Sequence, residues 1–263
     1  MPSDGGTPQR LTTNSAGEIP SAFTPDGKYI LFSASIQDPA ESALFPRSAM
    51  TELYKVPATG GRTEQVLGTP AEAVCFNKSG DLFFYQDQKG FENEWRKHHT
   101  SSVTRDIWMY DTRTSKHTNL TQRPGEDRNP VLAPDGQTLY FLSERNGGSF
   151  NVYTFPLDRP EAVKAVTAFK THPVRFLSIS NNGTLCYGYD GEIYTQQAKS
   201  ATPQKVQIEI TRDDRPQTVR LNYTNGATSA TVSPDGKQVA FIVRGEVFVT
   251  SADYATTKQI THT

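Results

Sequence analysis

Cysteine is scarce in this sequence: only two occur in 263 residues. Neither Cys75 nor Cys186 has a second cysteine or a histidine at the spacing of a metal-ligand motif. Both lie in apolar, strand-like segments, where cysteine usually serves as a small buried core residue. The sequence therefore predicts no metal site built on thiolates.

The sequence also lacks an excess of charge of one sign and a long apolar run. The 27 lysines and arginines nearly balance the 28 aspartates and glutamates, so nothing points to a nucleic-acid partner. No apolar run approaches the roughly 18 residues that a membrane-spanning helix needs. The first residues, MPSDGGTPQRL, lack the apolar core of a signal peptide, and a signal upstream of this sequence stays open.

A short phrase occurs five times at intervals of roughly 50 residues, the interval typical of propeller blades. The five versions are FTPDGKYILF, FNKSGDLFFY, LAPDGQTLYF, ISNNGTLCYG and VSPDGKQVAF. Each predicts strand, tight turn and strand, because glycine accepts the left-handed backbone that ends a hairpin loop and Asp or Asn bonds to nearby backbone. The glycines are Gly27, Gly80, Gly136, Gly183 and Gly236.

Two further strands follow each hairpin. The third strands are ELYKVPA, DIWMYDT, NVYTFPL, EIYTQQA and EVFVTSA, and the weaker fourth strands end in phrases such as NLTQ and QITHT. A lone four-stranded meander has two apolar faces that it cannot bury, whereas sheets packed in a ring bury both. The sequence therefore predicts an all-β fold, a β-propeller of four-stranded antiparallel blades.

The predicted propeller has five complete repeats plus one extra N-terminal strand within residues 1–18. Because the chain starts and stops at the same point of the repeat, two arrangements are open: part of a propeller with six or more blades, or five blades closed with residues 1–13 as a strap. Cys75 and Cys186 fall in repeats that are not adjacent, so we expect no disulfide. The repeats span about 19–70, 71–126, 127–172, 173–226 and 227–263.

Two groups of motifs carry a resemblance to a known family. TPDGKYILF, APDGQTLYFLSERNGG and SPDGKQVAF, each followed by an aliphatic-aromatic strand and a closing LT or IT, resemble the TolB-type propeller repeat. The segments KGFENEWRKHHTSSVTRDIWMYD and DGEIYT, the latter followed by PQKVQIEITRDDR, resemble the N-terminal propeller of bacterial tricorn-like proteases. The second and fourth repeats depart from the pattern with NKSG and SNNG.

The resemblance implies a non-catalytic propeller that binds, guides or gates peptides for a serine peptidase domain outside this chain. Peptides or unfolded protein segments, and PDZ and peptidase domains of the same parent protein, are the implied partners, in the periplasm or another extracytoplasmic space. No catalytic residue of the family has a counterpart here, and no cofactor is implied. Two alternatives stay open: a periplasmic TolB-like protein-binding propeller, and a propeller enzyme with a metal site in the channel mouth.

Candidate binding residues lie in two long loops that join second and third strands, at Ser35–Thr51 and Asp87–Arg105. The same loop is minimal in the fourth and fifth repeats, and long loops on a repetitive scaffold usually carry binding. Aromatic and guanidinium groups suit peptide recognition through stacking and carboxylate pairing. The candidates are Phe45, Arg47, Trp95, Arg96, His98, His99 and Arg105.

The second loop also has a structural interpretation, as a self-packed segment anchored by Trp95 over the rim between two blades. Its adjacent histidines, with His172 in a connector at the same end, raise a metal hypothesis. His98 and His99 would point in different directions if extended, and no carboxylate has ligand spacing. We therefore predict no metal site.

Overall fold

The protein consists almost entirely of strands and turns. A computed structural model describes residues 5–14, 16–36, 50–90, 96, 98–197, 202–209 and 225–262. Within these ranges there are twenty strands, one short 3-10 turn at Arg145–Gly147 and no α-helix. The chain divides into two compact units, Met1–Ile208 and Glu209–Thr263, and each is described by itself below.

Unit 1 contains four antiparallel sheets, each a meander of four strands consecutive in the sequence. Sheet 1 comprises β1 (Glu18–Phe23), β2 (Tyr29–Ala34), β3 (Glu52–Pro57) and β4 (Glu64–Leu67). Sheet 2 comprises β5 (Ala71–Phe76), β6 (Leu82–Asp87), β7 (Ile107–Asp111) and β8 (Lys116–Asn119). Sheet 3 comprises β9 (Asp127–Leu132), β10 (Thr138–Ser143), β11 (Asn151–Pro156) and β12 (Lys164–Ala165). Sheet 4 comprises β13 (Arg175–Ile179), β14 (Thr184–Tyr189), β15 (Glu192–Gln197) and β16 (Gln204–Lys205).

Unit 2 contains a fifth meander of the same order. Its strands are β17 (Ala227–Val232), β18 (Gln238–Val243), β19 (Glu246–Ser251) and β20 (Thr257–Gln259). The rings of Phe241 and Phe248 lie opposite each other on β18 and β19 and stack with centroids 5.7 Å apart. The predicted all-β fold of five four-stranded antiparallel meanders is confirmed.

The predicted turn chemistry is present at the hairpin between β1 and β2. Asp26 Oδ1 accepts hydrogen bonds from Thr24 Oγ1 at 2.6 Å and from the Lys28 backbone N–H at 3.1 Å. These bonds favour the ionised carboxylate, and the Thr24 hydroxyl in particular lowers the pKa of Asp26. Gly27 has a φ of 70°, in the left-handed region that glycine accepts without strain.

Neighbouring sheets of unit 1 bury both of their apolar faces. Along β6, Phe83 packs against residues of sheet 1, whereas the next residue, Phe84, packs against residues of sheet 3. Along β10, Phe141 joins the cluster shared with sheet 2, whereas Tyr140 joins the cluster shared with sheet 4. This follows from the two-residue period of a strand, which sends successive side chains to opposite faces. The first strands β1, β5, β9 and β13 are consecutive neighbours.

Polar side chains connect neighbouring sheets of unit 1. Ser33 Oγ donates to the backbone carbonyl of Ala71 at 2.7 Å, which joins sheet 1 to sheet 2. Asn129 bonds the backbone of Leu177 on sheet 4 through both side-chain atoms, with its Oδ1 accepting at 3.0 Å and its Nδ2 donating at 3.0 Å. Asn129 lies at a β-bulge with a φ of 51°, a conformation that asparagine tolerates better than most residues. The bulge therefore aims the amide at the next sheet.

The N-terminal segment does not form the extra strand that the repeat pattern predicts. No strand is assigned to described residues 5–14. Instead, Leu11 packs against a buried cluster of sheet 1 that includes Phe32 and Tyr54. This leucine and a contact from Gln9 Nε2 to the Thr59 carbonyl connect the segment to sheet 1, in place of the ladder of backbone hydrogen bonds that a strand would form.

Cys75 is expected to resist alkylation. It packs between sheets 2 and 3, and burial raises the pKa of its thiol to about 12. Because only the thiolate reacts, we expect iodoacetamide at pH 8 to modify Cys75 at least about a hundredfold more slowly than a free cysteine. The rate is measured by mass spectrometry on the folded Cys186→Ser variant, in which Cys75 is the one cysteine left. N-acetylcysteine is the reference thiol. Equal rates for the two thiols would contradict the prediction.

Candidate functional site

The residues predicted for the first long loop lie outside the described part of the chain. This applies to Phe45 and Arg47, and also to Trp95 in the second loop. Their predicted contact role therefore stays a prediction. Arg96 is described and its side chain is exposed to solvent.

The two adjacent histidines make different contacts. The backbone N–H of His98 donates to Glu144 Oε2 at 2.7 Å, and His98 has a φ of 54°. His99 Nε2 lies 2.9 Å from Ser101 Oγ, which also accepts the backbone N–H of Val103 at 3.2 Å. The His99–Ser101 contact therefore belongs to a tight turn. Among the described residues, no group of three or more His, Cys, Asp or Glu side chains is arranged to hold a metal ion.

Arg105 is buried in a cluster of charged side chains rather than displayed at the surface. It is 6% exposed, and its Nη1 donates to Glu126 Oε1 at 3.1 Å. The same oxygen accepts Arg128 Nε at 2.6 Å, and Glu72 Oε2 lies 3.6 Å from Arg105 Nε. Arg105 thus joins the second loop to β5 and to the start of β9, a structural role that its position in the sequence does not indicate.

A second charged cluster fixes the two ends of the same loop. Lys89 Nζ donates to Asp106 Oδ2 at 2.6 Å and to the Thr104 carbonyl at 2.7 Å. Asp87 Oδ1 accepts the backbone N–H of Asp106 at 2.7 Å, and its Oδ2 accepts Trp108 Nε1 at 2.9 Å. Burial raises the pKa of Asp87, and the nearby Lys89 ammonium opposes that rise. The loop is therefore closed at its base by paired, partly buried charges.

The loop and the connector between β8 and β9 contact each other directly. Thr100 and Gly125 form an isolated antiparallel bridge, and the backbone N–H of Ser101 donates to the Pro124 carbonyl at 3.2 Å. Thr104 Oγ1 also approaches that carbonyl, at 3.2 Å. These bonds hold residues 98–106 beside residues 120–126.

An open groove of about 820 Å³ lies between these two segments. Its lining is rich in hydroxyl, amide and charged groups that can donate or accept hydrogen bonds, with the Trp108 ring as an apolar surface. Such groups suit the backbone of an extended chain, which carries one donor and one acceptor at each residue. The groove is lined by Lys89, Ser101, Ser102, Thr104, Gln122 and Arg123, among others.

Arg123 lies across a glycine at the edge of the groove. Its guanidinium covers Gly125, so a Cβ there would push the guanidinium aside. Arg123 Nη1 lies 3.8 Å from Asp127 Oδ1, and Arg145 Nη2 donates to the other oxygen of Asp127 at 2.8 Å. Burial raises the pKa of Asp127, and these two guanidinium groups oppose the rise.

Sequence reasoning missed most of the groups that shape the groove. Asp87 and Asp106 look like ordinary residues at the ends of strands, and Arg123 and Glu144 lie in connections that show no repeat. The available signal was the polar residue that begins every third strand, which includes Asp106. The pattern marks the position, but it does not show that Lys89 is its partner, because the two are 17 residues apart.

Comparison with known proteins agrees with this fold. Among curated proteins, the chain is 27% identical over 178 residues to dipeptidyl-peptidase 5 of Porphyromonas endodontalis, covering 54% of this chain and 26% of that protein. It is 35% identical over 63 residues to the uncharacterized peptidase YuxL of Bacillus subtilis, covering 24% of this chain and 10% of that protein. The chain thus spans about a quarter or less of the curated relatives it matches.

Two solved structures share the fold. The tricorn protease matches with a TM-score of 0.65 at 19% identity, over 99% of this chain and 24% of that chain. TolB from Acinetobacter baumannii matches with a TM-score of 0.57 at 19% identity, over 95% of this chain and 56% of that chain. The family model described as the tricorn protease N-terminal beta propeller domain matches residues 1–202. The chain therefore belongs to the family of tricorn protease N-terminal β-propeller domains.

Proposed function

We propose that this propeller domain binds unfolded peptide segments and guides them to a serine peptidase domain outside this sequence. The observation that carries the proposal is the groove between residues 98–106 and 120–126, in a chain whose family is named after a protease. The domain itself performs no bond cleavage in this proposal. Its described loop residues serve as contact groups, and the peptidase acts on what the groove delivers.

The chemistry of the groove favours a peptide over a compact small molecule. The groove is open to solvent and most of the residues that line it carry hydrogen-bonding side chains, whereas sites for small molecules are usually deep and have only a few polar groups. Ser102 is exposed there, and the half-buried Trp108 ring supplies a surface for an apolar side chain. An extended chain can satisfy its backbone groups on such a lining without a matching sequence, as a peptide-guiding domain requires.

The same proposal includes two partner classes and a location. The peptides are the first class, and the PDZ and peptidase domains of a longer parent protein are the second. The periplasm or another extracytoplasmic space is the proposed location, which rests on the resemblance of the repeats to TolB-type propellers. In the part of the chain that the structure describes, no helix is long and apolar enough to cross a membrane.

A photo-crosslinking experiment tests the peptide-binding part of the proposal. Benzoylphenylalanine is introduced at Ser102, in the groove, or at the exposed Thr114, in the turn at the opposite end of β7. The probe is fluorescein-labelled unstructured casein. We expect about tenfold more crosslinked casein from position 102 than from position 114, because crosslinking requires a chain held close to the probe. Equal yields from the two positions, or no crosslinking above background, would overturn the proposal.

A further inference from the structure

The described part of the second loop, residues 98–106, is held on two sides. On one side it bonds the connector between β8 and β9, through the Thr100–Gly125 bridge and the bond from Ser101 to Pro124. On the other side, the His98 backbone N–H donates to the Glu144 carboxylate at 2.7 Å, and the Arg105 carbonyl accepts the backbone N–H of Asp127 at 3.0 Å. The His98–Glu144 contact joins sheet 2 to sheet 3 across 46 residues of sequence.

The backbone on each side of this contact explains why an acceptor is needed there. His98 has a φ of 54°, a left-handed conformation that residues other than glycine seldom adopt. In an isolated residue of this kind the N–H has no place in a ladder of backbone bonds, and because the acceptor is a partly buried carboxylate, the bond has a charged acceptor. Glu144 Oε2 supplies that acceptor.

Glu144 is itself held in a fixed position. It directly follows β10, and on either side of it Ser143 Oγ accepts both the backbone N–H and the Nε of Arg145, at 3.2 and 3.0 Å. Tyr153 Oη then donates to the Arg145 carbonyl at 2.9 Å. The carboxylate therefore projects from a chain segment tied to β11, which makes it a rigid point of attachment for a loop from the neighbouring sheet.

Among the described residues, the carboxylate of Glu144 forms no ion pair. Glu144 is 6% exposed, and its Oε1 is buried without a hydrogen-bond partner in the same part of the chain. Burial raises the pKa of Glu144, while the His98 N–H and the charge of Arg128 lower it. The bond from His98 therefore offsets part of the cost of burying this carboxylate.

We propose that Glu144 is a positioning residue for the groove: its carboxylate sets the place of residues 98–104 and so the shape of one groove wall. Ser101, Ser102 and Thr104 of that wall line the groove. The inference rests on the proposed function, since it gives Glu144 a role in peptide binding without contact to the peptide. Sheet 3 thereby controls a binding surface that is built on sheet 2.

Three substitutions at Glu144 separate the acceptor from the side-chain volume. Glu144→Ala removes both, Glu144→Gln keeps both with a carbonyl oxygen at the same reach, and Glu144→Met keeps most of the volume without the acceptor. Glu192→Ala is the matched control, because Glu192 pairs with Lys205 at an exposed position of sheet 4. Amide hydrogen exchange of residues 98–104 and the affinity for labelled casein are measured for each full-length protein.

We expect Glu144→Ala to speed exchange of residues 98–104 by about tenfold or more, because it removes a hydrogen bond to a charged acceptor. Casein affinity is expected to fall by about the same factor, since the wall loses its fixed position. Glu144→Gln and Glu192→Ala are expected to keep both quantities within about twofold of the unsubstituted protein. Exchange in β9 to β11 is expected to stay unchanged, which separates a local effect from global unfolding.

The inference is overturned if the amides of residues 98–104 exchange in Glu144→Ala at the rate of the unsubstituted protein. It is also overturned if they exchange as fast in Glu144→Gln as in Glu144→Ala. Should Glu144→Ala unfold globally, Glu144→Met decides: as fast an exchange of residues 98–104 as in the unsubstituted protein overturns the inference, and a rise of about tenfold supports it. Faster exchange without any loss of casein affinity would overturn the role in binding. If the unsubstituted protein binds no casein, the proposed function fails, and the exchange data still decide whether Glu144 positions the loop.

Discussion

Replacing Phe141 by alanine is expected to destabilise unit 1 by about 3–5 kcal/mol, the usual cost of deleting a fully buried aromatic side chain. Phe141 is 0% exposed and lies between sheets 2 and 3. Its ring centroid is 5.4 Å from that of Phe155 and 6.2 Å from that of Tyr153, and Arg145 Cζ lies 4.9 Å from it. The deletion leaves a cavity at a sheet-to-sheet junction that rigid strands on both sides cannot close.

Guanidinium chloride unfolding of the full chain, followed by far-ultraviolet circular dichroism, measures this loss. Phe23→Ala is the control, because Phe23 is 62% exposed near the end of β1. We expect the control to change the free energy of unfolding by less than about 0.5 kcal/mol. A similar loss for both variants would contradict the assignment of Phe141 to the core between sheets.

Replacing Glu126 by glutamine is expected to destabilise unit 1 by about 3–5 kcal/mol, because it removes the carboxylate that two buried guanidinium groups share. Arg105 and Arg128 both bond Glu126 Oε1, at 3.1 and 2.6 Å. The side chains of all three are at most 10% exposed. Water cannot readily compensate the lost charge, so the cost is far above that of a surface ion pair.

The same unfolding measurement tests this prediction against Glu192→Gln, which breaks the exposed pair with Lys205. We expect less than about 1 kcal/mol from that surface change. A double variant, Glu126→Gln with Arg128→Met, is expected to recover part of the lost free energy of unfolding, because it also removes one of the positive charges that Glu126 balances. If Glu126→Gln costs no more than Glu192→Gln, the buried cluster does not stabilise the loop.

Local sequence patterns predicted the sheets because each meander is a local structure. The hairpin around Gly27 requires a residue that accepts a positive φ next to an aspartate that bonds its own turn, and both are neighbours in the sequence. Third and fourth strands carry their own alternation of apolar and polar side chains, which is enough to find them. The same kind of pattern predicted an extra strand near the N-terminus, but described residues 5–14 form none.

Local sequence patterns predicted the candidate site less well than the sheets. His98 was selected for its side chain, yet its backbone N–H is the group that bonds Glu144. Arg105 was selected as a contact for peptides, yet it lies in a buried cluster with Glu126. Side-chain type therefore picked out a loop that lines the groove, but it did not indicate which of its residues face the groove.

The sequence by itself determined the repeat, the strand order within each sheet and the loop in which polar groups concentrate, because these depend on residues close together along the chain. Only the tertiary structure decided the partners of Lys89, Glu126 and Glu144, and with them the groove. Most of those contacts join residues that are 17 to 46 positions apart and lie in the loops that connect strands. Repeating side-chain alternation places a residue on a face, whereas the pairing of buried charges depends on which sheets pack together and at what distance.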